Sequence, residues 1–148
     1  YHIGLAQSQL ALERTRDAET SFERARELFP RNVPVVVHYA EALLQLGKAK
    51  LAHEILLDLL NNVPPTPRQV QLIARAANEA GDAAEAHYYM SEYRIMIGDL
   101  LGGINFLRQA LRMPNIQEIQ RIRFEARIDF LREYMTEEQL QIMQRSKS

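Results

Sequence analysis

Apolar residues recur along the chain at intervals of three and four. Leu51, Ile55, Leu56, Leu59 and Leu60 make one wide apolar face, with polar residues filling the positions between. No stretch of useful length alternates apolar with polar as a half-buried strand does. The pattern predicts an all-α chain of seven to nine helices. They fall near 2–14, 17–29, 34–46, 49–62, 67–80, 83–97, 100–112, 116–134 and 137–145. Local start signals agree. Thr66-Pro67-Arg68-Gln69 is a capping box with proline at the first helical position. Asp82 to Glu85 and Thr136 to Gln139 have the same spacing.

The helices are ruled at a fixed interval. Ala18, Ala52 and Ala86 are spaced 34 apart, and so are Pro30 and Pro64, Gly47 and Gly81, and Ala40 and Ala74. Each residue type suits its place. Small alanines let two helices cross closely. The glycines end first helices, where a positive φ is commonly needed. The prolines stop second helices. Thirty-four is the period of the tetratricopeptide repeat (TPR), which the chain resembles: a superhelix of antiparallel helix pairs. Gly98 follows Gly81 by only 17. This predicts that helix 83–97 closes one pair and opens the next, and that 116–134 leaves the repeat to cap the array. In that cap Ile119, Ile122, Ala126 and Phe130 form one stripe, with Phe124, Ile128, Leu131 and Met135 beside it. A terminal pair exposes an apolar face that a cap must cover. The expected organisation is a single domain: an array over 1–115 with a truncated first pair, then a capping helix and a short terminal helix over 116–148.

Composition narrows the function. Of 148 residues, 47% are hydrophobic and 25% charged, which is globular. With no cysteine, thiol catalysis, disulfides and cysteine-bound zinc are excluded. A formal charge of −1 lacks the basic excess of a nucleic-acid surface. No apolar run approaches the roughly 20 residues that span a bilayer. The opening Tyr1-His2-Ile3-Gly4 has neither Met nor a signal peptide and reads as part of a longer protein.

Candidate chemistry dissolves on inspection. His53-Glu54-Ile55-Leu56-Leu57 starts like an HExxH zinc helix, but Leu57 replaces the second imidazole. His87 beside Tyr88 and Tyr89 has no Ser or Asp placed for proton relay. Gly102-Gly103 lacks the strand and spacing of a dinucleotide loop, which leaves close helix packing. Tyr88, Tyr89 and Tyr93 sit at helical spacing near Glu85 and Glu92, as core or groove residues. Arg121, Arg123, Arg127 and Arg132 interleave with Glu118, Glu125, Asp129 and Glu133 and read as a solvated, ion-paired helix face. No catalytic residue, metal ligand or cofactor site emerges.

Surface shape remains. In a tetratricopeptide array the first helices line a groove that receives a peptide. The repeat frame places Gln7 and Leu10 there from pair one, and Val37, Glu41, Leu44 and Gln45 from pair two. Pair three supplies Arg68, Gln71, Arg75, Asn78 and Glu79, and Tyr88, Glu92 and Ile95 follow. The Lys and Asn set of chaperone-tail clamps is absent, since Val37, Glu41, Gln71 and Arg75 stand at those positions.

The run Arg123-Phe124-Glu125-Ala126-Arg127-Ile128-Asp129-Phe130-Leu131-Arg132 is more particular. It resembles the terminal A-R-I-D-x-L-R helix of the bacterial periplasmic β-barrel assembly-enhancing metalloproteases (BepA, also called YfgC). The turn at Gly98-Asp99 and the helix from Ile104 to Leu111 lead into it similarly. Within the run, Ala126 and Leu131 are expected to pack, while Arg127, Asp129 and Arg132 face water or tie the cap down. The resemblance implies the TPR half of a periplasmic protease that works in outer-membrane β-barrel assembly and quality control. Its implied partners are the assembly machinery, unfolded barrel substrates and its own protease domain, which would hold the zinc. The alternative is a TPR adaptor of another bacterial secretion or envelope-assembly system, with no protease attached.

Overall fold

The computed structural model describes residues 14, 16, 17 and 19–147, and among them there is no strand. Eight helices are described: α1 (19–28), α2 (Val33–Gln45), α3 (Ala49–Asn62), α4 (Pro67–Glu79), α5 (Ala83–Met96), α6 (Leu100–Leu111), α7 (Glu118–Arg132) and α8 (Glu137–Lys147). The expected helix 2–14, apart from its last residue, and the mark at Ala18 lie outside the described residues. The chain forms two compact units, Tyr1–Pro65 and Thr66–Ser148.

In the first unit Asn32 starts α2, its side-chain oxygen accepting from the Val35 amide at 3.1 Å. Helix α2 buries Val36, Tyr39, Ala40 and Leu43, and α3 buries Ala52, Ile55, Leu56 and Leu59. Ala40 and Ala52 have no exposed surface, in keeping with two helices crossing at small residues. Helix α1 is tied in by Glu19, which accepts from Lys48 at 3.0 Å, and by Phe22 stacked on His38.

The second unit opens with the Thr66 capping box, both halves of which form. Helix α4 ends in a Schellman turn, with Asp82 N donating to Ala77 O and Gly81 N to Asn78 O. The core joins Ala84 of α5 to Ile104, Leu107 and Ala110 of α6 and to Phe124, Ile128 and Leu131 of α7. Met143 of α8 completes it, and Arg108 of α6 donates to the Met143 carbonyl at 3.3 Å.

The ruler runs further than the letters suggest. Val36, Val70 and Ile104 are 34 apart and buried; so are Tyr39, Ile73 and Leu107, and Ala42, Ala76 and Ala110. Helices α2, α4 and α6 are therefore the same helix of successive pairs. Gly47, Gly81 and Asn115 mark one turn position, with φ of 75°, 92° and 67°. Gly98 stands at the mark of Pro30 and Pro64, and Gln120 at that of Ala52 and Ala86. The interval does not shorten to 17. Helix α5 closes the pair begun by α4, and α6 with α7 makes the next, so α7 continues the repeat rather than leaving it.

The two stripes on α7 face opposite ways. Phe124, Ile128 and Leu131 are buried, whereas Ile119, Ile122, Ala126 and Phe130 are exposed. The physical reason is polar. Arg123 and Arg127 reach carboxylates on α5, and that rotation turns the Phe124 side inward.

Candidate functional site

Helices α4, α5 and α6 line an open hollow of about 400 Å³. One wall is α4, where Gln71, Arg75 and Asn78 stand a turn apart on an exposed face. Ala74 and Ala86 are small enough to let the hollow deepen between the helices, and Met90 with Phe106 makes its apolar part. His87 also lines it. Its Nδ1 lies 2.7 Å from the Ala83 carbonyl. A carbonyl only accepts, so Nδ1 is the donor in this contact. The His87 ring is tilted against Phe106, over whose face the Arg94 guanidinium lies at 5.9 Å. Arg75 pairs loosely with Glu79 at 3.4 Å, both side chains being well exposed. Such a pair is weak and yields readily to a carboxylate or carbonyl from outside. The hollow thus offers two amides, a guanidinium and an imidazole around an apolar floor.

The opposite side of α5 is closed. Arg127 of α7 grips Glu92 with two hydrogen bonds, and Arg123 donates to Glu85 at 2.7 Å. Gln120 takes the Gln117 amide on its oxygen, capping α7. Its nitrogen meanwhile lies 3.0 Å from Glu85 and 3.3 Å from both Asp82 oxygens. Tyr88 is stacked between these ties, its ring 5.4 Å from that of Phe124 and 4.8 Å from the Arg123 guanidinium. Burial first, and the Glu92 charge second, raise the Tyr88 hydroxyl above its ordinary pKa.

Of the expected groove residues, Gln71, Arg75 and Asn78 converge on the hollow, and Arg68 and Glu79 are exposed on the same helix. In the first unit Gln45 is exposed and Val37 is half-buried. Glu41 is half-buried too, 4.0 Å from His38. Leu44 is a correction: it is 7% exposed and belongs to the core of α2. Tyr88, Glu92 and Ile95 are also corrected. Tyr88 and Glu92 lie against α7, and Ile95 packs against the α6–α7 core. Gln7 and Leu10 lie outside the described residues. His87, Met90 and Phe106 were missed. His87 follows His53 by 34 and Met90 follows Leu56 by 34, so the register held the signal.

The arginine strip divides in two. Arg121 and Arg132 pair within α7, with Glu118 and Asp129, as a solvated face does. Arg123 and Arg127 tie α7 to α5. In the A-R-I-D-x-L-R run Leu131 packs as expected, but Ala126 is exposed. Gly103 confirms close packing, since a Cβ there would meet Ile95 Cγ1 at 2.9 Å. Among the described residues no three of His, Cys, Asp and Glu are grouped to hold a metal ion. No helix of the described residues is long and apolar enough to cross a membrane.

Residues 9–76 match the tetratricopeptide repeat family model. With the helical order above, this defines an all-α tetratricopeptide-repeat arrangement, a class of module that holds proteins or peptides. No curated protein and no solved structure matches the chain.

Proposed function

We propose that the hollow of α4, α5 and α6 captures an extended segment of a partner protein. The observation that carries this is the row of Gln71, Arg75 and Asn78 above an apolar floor. The two amides can pair with the backbone of an extended segment. Arg75 suits a carboxylate or carbonyl on the segment, and Met90 with Phe106 suits one apolar side chain.

The finer reading is that this module serves a periplasmic zinc metalloprotease concerned with outer-membrane β-barrel proteins. Its support is the run from Arg123 to Arg132, which resembles the terminal helix of that family. On this reading the captured segments come from the barrel-assembly machinery or from unfolded barrel substrates. The zinc and the proteolysis belong to a protease domain elsewhere in the parent protein. The competing reading, an adaptor of another secretion or envelope-assembly system, uses the same hollow.

The test is photocrosslinking in cells from Gln71 and Asn78. Capture of outer-membrane barrel proteins or their assembly factors, lost in Arg75→Glu, is the expected result. Helicity and melting temperature should not change in that variant, because Arg75 is exposed. Crosslinks solely to proteins of another system would overturn the protease reading and keep the hollow. No crosslinks at all, or crosslinks indifferent to Arg75→Glu, would remove the hollow as the site.

A further inference from the structure

The outer face of α7 carries an apolar stripe. Ile119 is 63% exposed, Ile122 55% and Phe130 45%, and Tyr134 extends the row just past the helix end. Ala126 fills the gap, so the spacing is three, then four, four and four. That makes a single strip more than three turns long, on a helix whose other side is already in the core. Scattered apolar side chains on a surface are ordinary, but a continuous strip along one helix marks a contact.

The repeat says what kind of partner the strip takes. Counted back by 34, Ile119, Ile122 and Ala126 fall on Glu85, Tyr88 and Glu92. Those three are the side of α5 on which α7 lies. The side that receives a helix on α5 is thus the side that α7 presents outward.

Charge says more. Along one border of the strip stand Glu118, Glu125 and Asp129, all exposed. Glu118 and Glu125 repeat the seven-residue interval of Glu85 and Glu92, which take Arg123 and Arg127, four residues apart. The pairs of Glu118 with Arg121 and of Asp129 with Arg132 are long, at 3.7 and 3.8 Å, and exposed, so they exchange at little cost. We infer that this face is a second docking surface, for an amphipathic helix of a partner protein. That helix presents an apolar row bordered by Lys or Arg about one turn apart.

A second copy of the chain fits poorly. Two α7 helices laid antiparallel, stripe on stripe, would set one acidic border against the other. A parallel pair would need Arg123 and Arg127 of the opposite border, and both are committed to Glu85 and Glu92. The inference does not depend on the hollow of α4, α5 and α6.

The probe is a pair of fluorescein-labelled synthetic helical peptides of roughly 18 residues with an identical leucine stripe, one bordered by Lys and one by Glu. Anisotropy with the intact chain should show the Lys-bordered peptide binding about tenfold more tightly. Ile122→Asp and Glu125→Lys should each abolish that preference, with circular dichroism and melting temperature unchanged, while Arg75→Glu has no effect. Absence of binding by the Lys-bordered peptide, equal binding of both peptides, or indifference to Ile122→Asp would overturn the inference. So would sedimentation of the chain as a dimer that Ile122→Asp converts to monomer.

Discussion

Arg127 of α7 closes a two-pronged grip on Glu92 of α5, with Nε 2.8 Å from one carboxylate oxygen and Nη2 3.0 Å from the other. The two residues are 35 apart in sequence, and each side chain is about three-quarters withdrawn from solvent. A planar guanidinium fork matched to a carboxylate fixes orientation as well as distance. It therefore sets which side of α7 turns inward, and with it the burial of Phe124, Ile128 and Leu131.

The first prediction concerns that grip. A double-mutant cycle with Glu92→Gln and Arg127→Ala should give a coupling of about 1.5–3 kcal/mol in urea unfolding, the range for hydrogen bonds to charged groups. The same cycle on Arg121 and Glu118, an exposed pair at 3.7 Å, should give under about 0.5 kcal/mol. Equal couplings would mean that the fork does not orient α7.

A second prediction lies at the α5–α6 crossing. Gly103 brings α6 so close that a Cβ there would stand 3.2 Å from the Ser91 carbonyl. Ser91 itself has no exposed surface, and among the described residues its hydroxyl has no hydrogen-bond partner. Its small size suits the crossing, but its oxygen is desolvated without return. Ser91→Ala should raise stability by about 1 kcal/mol. Gly103→Leu should lower it by about 1–3 kcal/mol through overpacking. A loss of stability in Ser91→Ala would show that the hydroxyl is satisfied after all.

The third prediction tests the ruler where its letters change. Asn115 holds φ at 67°, in the register of Gly47 and Gly81. Asparagine tolerates this left-handed region better than most residues, and glycine enters it without penalty. Asn115→Gly should leave stability unchanged or slightly higher, while Asn115→Val should cost about 1–2 kcal/mol. If Val is tolerated as well as Gly, the turn does not constrain the repeat at this mark.

That same position explains why the fold was only partly legible. Helix starts at Thr66 and Asp82 are written locally, within four residues, and both cap as their letters imply. The repeat was readable while its turn marks were Gly and Pro. It became hidden where Asn115 replaces glycine, Gly98 replaces proline and Gln120 replaces alanine, although the backbone keeps the period. The groove row of Gln71, Arg75 and Asn78 was legible because α4 has one clear polar side. Helix α5 was not, because Ala84, Tyr88, Tyr89, Met90, Tyr93 and Ile95 spread apolar surface almost all round it. Which side of it faced the hollow was decided by Arg123 and Arg127, 35 to 38 residues away, and no local pattern encodes that pairing.

Alkaline pH probes the closed side of α5. Burial is the main cause that raises the Tyr88 hydroxyl above the ordinary value of 10.0, and the neighbouring Glu92 charge adds to it. Burial and Glu85 raise Tyr89 in the same direction. In the unfolded chain these phenols lose their protons near pH 10, whereas the folded chain still holds them. The unfolded state then binds fewer protons, so stability falls as pH rises. The contribution of the two tyrosines is therefore complete below about pH 10 and is lost progressively above it, through the folded pKa values. Urea unfolding between about pH 9 and pH 11 should show a falling stability, with a shallower slope in Tyr88→Phe, which keeps the ring on Phe124 and removes the proton. An unchanged slope in that variant would mean that the Tyr88 hydroxyl reaches water in the folded chain and that α7 covers this side of α5 less tightly than its contacts imply.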